Sequence, residues 1–445
     1  MKFPPHRPLF SVVMPTRNRA TLLAHAVQSV IRQTFSDFEV IVSDNSSTDD
    51  TPKITETFSD DRVRYVRSDR FLRIDESWEF ALSHARGEYI TFLSDDDAYA
   101  PVRLKIASDI LNQHNSKLLI HKYCFFYPGG KPTVSRIRSD ELIQNGRMQL
   151  EIPWFAGELV EIEAKSTLAD MYSTLEYNVP ALPPPIYYGR TPHMSDSFYH
   201  RSLFDALRER LPRLMKSHRS DFYLGVLTMN EAIKYHYVDS PLTLLSIHRD
   251  SATEQIYQFA LSNQLDRLVE DASLKKVPFR AWTERNGYAD ILLEAQYDDP
   301  QLSSRVSLNW VNYYVSCYED LMTMQGLGAN TAEPLEKLNA VLSQESPELQ
   351  IQVRAKMSIG RHSSSSGGLR DALRRVVLSC SPLLRGIMFF SPQYRAGRKL
   401  VVSGDTAHFR SISECAAMFD QPFLDGFISY WRGRTVLPPI GGRLI

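Results

Sequence analysis

Apolar positions in the first 125 residues switch repeatedly between two periods. Phe10–Met14 (FSVVM) is a short β-rich run closed by Pro15. Over residues 20–33, Leu22, Leu23, Ala26, Val27, Val30 and Ile31 fall on one face at helical spacing, which predicts an amphipathic helix. Phe38–Ser43 (FEVIVS) is apolar on both faces, as for a strand covered by helices on each side. Val63–Arg67 (VRYVR) alternates like an edge strand, a helical SWEFALSHA follows, and EYITFL closes the series. This alternation predicts βαβ units on a mostly parallel sheet flanked by helices, an α/β fold.

Ligands of open α/β sheets bind beyond the carboxyl ends of the strands. Three polar segments stand at such ends: PTRN after the first strand, DNSS after the second and SDDD after the fourth. The pattern therefore predicts that they converge in space. Further along, residues 126–215 are less regular and rich in Pro, Tyr and Arg. A helix signal begins near Asp221 (DFYLGVLTMNEAI), and the strand-like YHYVDSPLTLLSIH ends at His248. From about 252 to 357 the pattern is helical and amphipathic, a helical C-terminal extension. RHSSSSGG (361–368) reads as a flexible linker. A basic C-terminal region, 369–445, follows. Its stretch 369–390 has two readings, an amphipathic helix on an anionic membrane surface or a stripe packed on its own protein; Ser381-Pro382 interrupts it and favours packing.

Composition narrows the function classes. A chain of 445 residues exceeds one ordinary core and predicts two or more units. A hydrophobic content of 43% and charged content of 23% are those of a soluble globular protein. A formal net charge of -1 argues against a general nucleic-acid binder. Four scattered cysteines without CxxC spacing offer no zinc or disulfide framework and fit a reducing compartment. No run approaches the roughly 20 apolar residues of a membrane span, and MKFPPHRPLFSVVMP is too rich in proline for a signal peptide. The expectation is a cytoplasmic protein, with contact at the inner face of the membrane left open.

Asp95, Asp96 and Asp97 raise the chemical question. Adjacent carboxylates repel one another and resist burial. A divalent cation such as Mg²⁺ or Mn²⁺, which prefers hard oxygen ligands, would offset that cost and bring affinity for a diphosphate. An acidic surface turn is the other reading.

SVVMPTRN, QTFSDFEVIVSDNSSTDDT and ARGEYITFLSDDDAYAP, in this order and spacing, resemble the family 2 glycosyltransferases, inverting nucleotide-sugar enzymes of the GT-A fold. The resemblance covers roughly residues 9–115 and extends weakly to about 250. It implies a GT-A domain over 1–250, with nucleotide-sugar binding in 8–125 and the acceptor side in 126–250. It also implies an Mn²⁺ or Mg²⁺ cofactor, a nucleotide-sugar donor (a UDP-sugar favoured) and a glycan or lipid-linked acceptor. Pro15, Thr16 and Arg17 match the loop along the nucleotide, and Asp44 and Asn45 the pair that meets base or ribose. Arg73 matches an arginine placed against the base, or is a solvated member of the RSDRFLR cluster. Asp95–Asp97 match the DxD-type element, with Asp96 as direct metal ligand, Asp95 toward the ribose and Asp97 in support. Asp221, in Ser220-Asp221-Phe222, matches the general base of an acidic-Asp-aromatic element; its other reading is a helix-start aspartate favoured by the dipole. Asp196 is the reserve base. His248 matches a late histidine near metal or phosphates, or simply ends an apolar strand, whereas His193 has no supporting pattern. A nucleotidyltransferase would want a glycine-rich loop where MPTRNR has no glycine. A non-catalytic glycan- or nucleotide-binding scaffold on the same fold is the rival from another class.

Overall fold

The computed structural model describes residues 7–127, 149–153, 155–175, 191–216, 219–247, 274–326, 328–358, 399–403, 411–431 and 443–444. Its sheet grows from β1 (Phe10–Thr16), which is apolar through Met14 and lies between β2 (Phe38–Asp44) and β4 (Tyr89–Phe92). β3 (Val63–Arg67) borders β2 at the sheet edge, where its half-exposed alternation belongs. The order β3-β2-β1-β4 is parallel throughout. Pro15 does not end its strand. Pairing with β4 stops at Val13 opposite Phe92, so the N–H that Pro15 lacks falls beyond that ladder.

Helices follow where the periodicity places them. α1 (Ala20–Ile31) buries Leu23, Ala26, Val27 and Val30 in one apolar cluster with Phe10, Val12 and Met14 of β1 and Val40 and Val42 of β2. α2 (Thr51–Glu56) and α3 (Ile74–Ser83) complete the crossovers. The turn into β4 passes hard against β1: a Cβ on Gly87 would stand 2.5 Å from the Ser11 nitrogen. Beside it, the buried Glu39 carboxylate accepts from Ser11 Oγ (2.7 Å), the Arg86 backbone N–H (2.8 Å), Arg64 Nη1 (2.7 Å) and Arg86 Nη2 (2.8 Å). Burial alone would push this carboxyl up; the hydrogen bonds from Ser11, Arg86 and Arg64 outweigh it and hold it below its ordinary value.

Beyond β4 the sheet turns mixed. β5 (Ala98–Tyr99), α4 (Arg103–His114), β6 (Leu118–Tyr127), β7 (Gln149–Pro153), β8 (Leu159–Glu163) and α5 (Ala164–Thr174) come next in the chain. β9 (Ser197–His200), α6 (Arg201–Arg208), α7 (Ser220–Ala232) and β10 (Lys234–Ser246) follow. β9 lies antiparallel between β4 and β6, and β10 runs parallel to β6. β11 (Lys399–Ser403) then adds antiparallel to β7, with β12 (Arg443–Leu444) on its outer side.

The chain forms two compact units. The first gathers Met1–Thr167, Tyr188–Glu254 and Arg398–Ile445; the second gathers Leu168–Tyr187 and Gln255–Gly397. Residues 398–445 thus group with the first unit. Ile412, Cys415, Phe419, Phe423 and Leu424 belong to the same apolar cluster as β1 and α1. The linker 361–368 and the basic stretch 369–390 lie outside the described residues. The second unit is helical in its described residues, with helices Glu284–Asp298, Trp310–Gly326 and Ala332–Leu342. In it the buried Asn286 donates to the Phe279 and Ala281 carbonyls (2.8 and 2.6 Å) and accepts from Tyr313 OH (2.8 Å). No helix among the described residues is long and apolar enough to cross a membrane.

Candidate active site

The segments after β1, β2 and β4 meet at one edge of the sheet. Asn18, in PTRN, takes a left-handed conformation (φ 52°), which asparagine tolerates better than most residues. There its side-chain Oδ1 accepts the Thr48 N–H at 2.7 Å, while its own N–H reaches Ser47 Oγ at 2.9 Å. Asp49 Oδ2 accepts the Ala20 N–H (3.1 Å) in the first turn of α1. The loops after β1 and β2 thus lace each other.

Asp44 and Asn45 serve this lacing. Asp44 is fully buried; its Oδ2 accepts from Tyr65 OH (2.6 Å) and Arg67 Nη1 (2.7 Å), and its Oδ1 from the Ser47 N–H (2.8 Å). The Asn45 amide is matched to the backbone of Leu72, donating to its carbonyl (2.8 Å) and accepting its N–H (2.7 Å). What faces outward beside them is Arg17, whose guanidinium stacks 4.1 Å from the ring centre of the exposed Phe71. Phe71 sits inside the same RSDRFLR cluster as Arg73, with no motif of its own to mark it. Arg73 itself is exposed at the start of α3, with Nε 3.3 Å from Asp75 Oδ1.

All three aspartates after β4 are buried. Asp95 Oδ2 accepts from Thr16 Oγ1 at 2.7 Å, tying the end of β1 to the end of β4. Arg19 Nη1 lies 3.1 Å from Asp95 Oδ1 and 3.0 Å from Asp96 Oδ2. Asp97 turns the other way, where its Oδ1 accepts the Ser246 N–H of β10 (2.8 Å). Burial first, then the neighbouring charge of Asp96, pushes Asp95 up to about 6 against the pull of Arg19 and Thr16. The same two causes hold Asp97 well above its ordinary value.

Two carboxylate oxygens from Asp95 and Asp96 therefore aim at one cationic position, now filled by a nitrogen of Arg19. Hard oxygen donors of this kind fit Mg²⁺ or Mn²⁺, which often take one or two protein carboxylates and complete their shell with water and phosphate. Among the described residues no three His, Cys, Asp or Glu groups gather around one point. One nitrogen of Arg19 thus bridges Asp95 and Asp96. His248 lies outside the described residues. Arg19 was not singled out in the sequence, although it stands two residues after Arg17.

Asp221 opens the first turn of α7, and its Oδ2 is 2.6 Å from His193 Nε2. Both side chains are about a quarter exposed, at 27% and 23%. Burial would raise Asp221, but the charge and hydrogen bond of His193 prevail and hold it below its ordinary value. Asp196 is placed differently. It is fully buried in the 3₁₀ turn Met194–Asp196, and its Oδ1 accepts the His193 N–H (3.0 Å) and Ser197 Oγ–H (2.8 Å). Burial pushes its carboxyl up to about 7. Asp196 has no exposed surface and is tied to the turn through Oδ1. α7 is seated closely on this segment, since a Cβ on Gly225 would stand 2.1 Å from the Pro192 carbonyl oxygen.

Residues 11–157 match the profile of the family described as Glycosyl transferase family 2. The chain is 40% identical over 93 residues to a GalNAc(5)-diNAcBac-PP-undecaprenol beta-1,3-glucosyltransferase of Campylobacter jejuni, covering 20% of this chain and 30% of that one. It is 27% identical over 115 residues to the Escherichia coli UDP-Glc:alpha-D-GlcNAc-diphosphoundecaprenol beta-1,3-glucosyltransferase WfgD, covering 26% and 46%. The matches thus span under half the length of these curated relatives. Among solved structures, S. aureus TarS 1-349 in complex with UDP-GlcNAc aligns over 80% of this chain and 92% of that one, at 16% identity and a TM-score of 0.41. At that score the likeness has no bearing on substrate.

Proposed function

Because residues 11–157 match the profile of Glycosyl transferase family 2, we propose that this chain is an inverting, metal-assisted glycosyltransferase of GT-A type. It moves a sugar from a nucleoside-diphosphate donor to a hydroxyl acceptor. The observation that carries the reading is the convergence of Thr16, Arg19, Asp95 and Asp96 where β1 and β4 end. Donor binding falls to this edge, with Pro15 and Thr16 at the end of β1 and Arg17 stacked on Phe71 at its open side. Asp95 and Asp96 would hold Mn²⁺ or Mg²⁺, which when bound supplies charge stabilisation to a departing diphosphate. In a single displacement the acceptor oxygen bonds to the anomeric carbon as the bond from that carbon to the diphosphate oxygen breaks. Asp221 takes the hydroxyl proton, help worth about 10²–10⁴-fold in rate. The name of one relative favours a UDP-sugar donor, and both names favour an acceptor glycan on undecaprenyl diphosphate, which supports a reaction at the cytoplasmic face of a membrane.

The test is titration of UDP, GDP and dTDP with and without Mn²⁺, followed by turnover of the matching nucleotide-sugars. Diphosphate binding that depends on metal and is lost in Asp96→Ala is the expected result. Tight binding indifferent to metal and to that substitution overturns the metal reading. Binding without turnover of any donor, acceptors supplied, makes the protein a scaffold instead.

A further inference from the structure

Asp221 does not stand alone at the start of its helix, and the imidazole that meets it is held at several points. His193 Nε2 faces Asp221 Oδ2 at 2.6 Å, while Nδ1 faces the Ser195 N–H at 3.3 Å. Nε2–H donates to the carboxylate in either protonation state: the cation carries a proton on both ring nitrogens, and the neutral ring that accepts the Ser195 N–H at Nδ1 keeps its proton on Nε2. The backbone of His193 is fixed from the other side by Asp196 Oδ1 (3.0 Å). Phe222, the residue after the aspartate, meets the ring edge-on with centroids 5.7 Å apart. The Pro192 carbonyl against Gly225 closes the seat one residue before the histidine.

We propose that His193 is the positioning residue of the transfer reaction: it anchors Asp221 through Oδ2 and leaves Oδ1 to face the acceptor hydroxyl. The proposal rests on the reading of Asp221 as general base. The charges around the pair agree with it. Asp221 on α7, Asp196 in the 3₁₀ turn and Asp97 after β4 all face His193, and against the opposing effect of burial they raise it to about 9. Arg219 and the Phe222 N–H add to His193 in favouring the ionised form of Asp221. The base is thereby kept ionised and oriented by one contact.

The experiment uses the full chain in four forms, wild type, His193→Ala, His193→Gln and Asp221→Asn, with release of UDP from UDP-glucose and UDP-N-acetylglucosamine measured across pH in Mn²⁺. Turnover in His193→Ala is expected to fall about 10- to 100-fold with donor KM unchanged. Loss of the cation raises the carboxyl of Asp221, so the acidic limb of the pH–rate profile moves to higher pH. His193→Gln, which keeps a donor to Oδ2 but no charge, recovers much of the turnover and none of the limb. An ion pair that served stability alone would lower the melting temperature and leave KM, turnover and limb as they were. That outcome, with Asp221→Asn inactive, overturns the proposal. Activity retained in Asp221→Asn overturns the base reading, and the proposal with it. NMR titration of the His193 imidazole gives a readout independent of turnover: its midpoint falls by a unit or more in Asp221→Asn, and an unmoved midpoint refutes the pairing.

Discussion

Gly225→Ala sets two known effects against each other at one atom. In an ordinary helix interior the change gains about 1 kcal/mol, because alanine is the better helix former. Here the new methyl would stand 2.1 Å from the Pro192 carbonyl oxygen and 3.2 Å from its carbon. Reaching ordinary van der Waals separation requires roughly 1 Å of movement between α7 and the segment before His193. Neither partner yields cheaply, since one is a buried helix and the other the backbone leading into the 3₁₀ turn. Overpacking of this kind costs about 1–3 kcal/mol, so the net change is a loss of up to about 2 kcal/mol. Catalysis is the more sensitive reporter. Asp221 lies one helical turn before Gly225, and a displacement of about 1 Å in a catalytic group costs on the order of 10²-fold in rate. Urea unfolding and donor turnover, measured on one preparation, read both effects. A variant that unfolds at higher urea and turns over like the wild type refutes the argument, for it would mean that α7 is not seated on Pro192.

Two further substitutions probe the frame of the site. Glu39→Gln removes the charge that Ser11, Arg64 and Arg86 surround, and is expected to cost about 1–3 kcal/mol at neutral pH. The folded carboxyl lies below its unfolded value of 4.5, so this contribution is present above that pH and is lost as pH falls through the folded value. The stability difference between wild type and variant should therefore shrink below about pH 4.5 in urea titrations; a constant gap contradicts the assignment. Deleting 398–445 strips Ile412, Cys415, Phe419, Phe423 and Leu424 from the apolar cluster they share with β1 and α1. At about 1.5–3 kcal/mol for each large side chain, the loss rivals the whole stability of a domain. The shortened chain should lose its cooperative melt by circular dichroism, and one that melts as the full chain does would refute this packing.

The first four strands were legible because their signal is local. FSVVM is a short β-rich run and FEVIVS is apolar on both faces, as a covered, parallel strand requires. The meeting of PTRN and SDDD followed from topology, and it appears as the Thr16–Asp95 hydrogen bond. Sequence could not say which polar side chains at a strand end face a ligand and which face their own loops. Asp44 and Asn45 look alike in the motif, and the structure engages Asp44 with Tyr65, Arg67 and Ser47 and Asn45 with Leu72. Nor could it separate Asp95 from Asp97, because their difference is set by two partners distant in sequence, Arg19 and the Ser246 N–H. His193 carried no pattern of its own; its meaning comes from a helix that begins well after it. β11 escaped notice because so short a strand is defined by its partners, here β7 and β12.

That last pairing has a consequence for how the molecule is made. β7 emerges early from the ribosome and must wait for the whole second unit to be synthesised before residues 399–403 arrive to cover it. Through that interval a row of backbone donors and acceptors stands open to wrong partners. Closure across so long a separation also makes assembly slow relative to the helices that form meanwhile. The last strands are thus the latch of the fold, and the half-made chain is the form in which this protein most needs a chaperone.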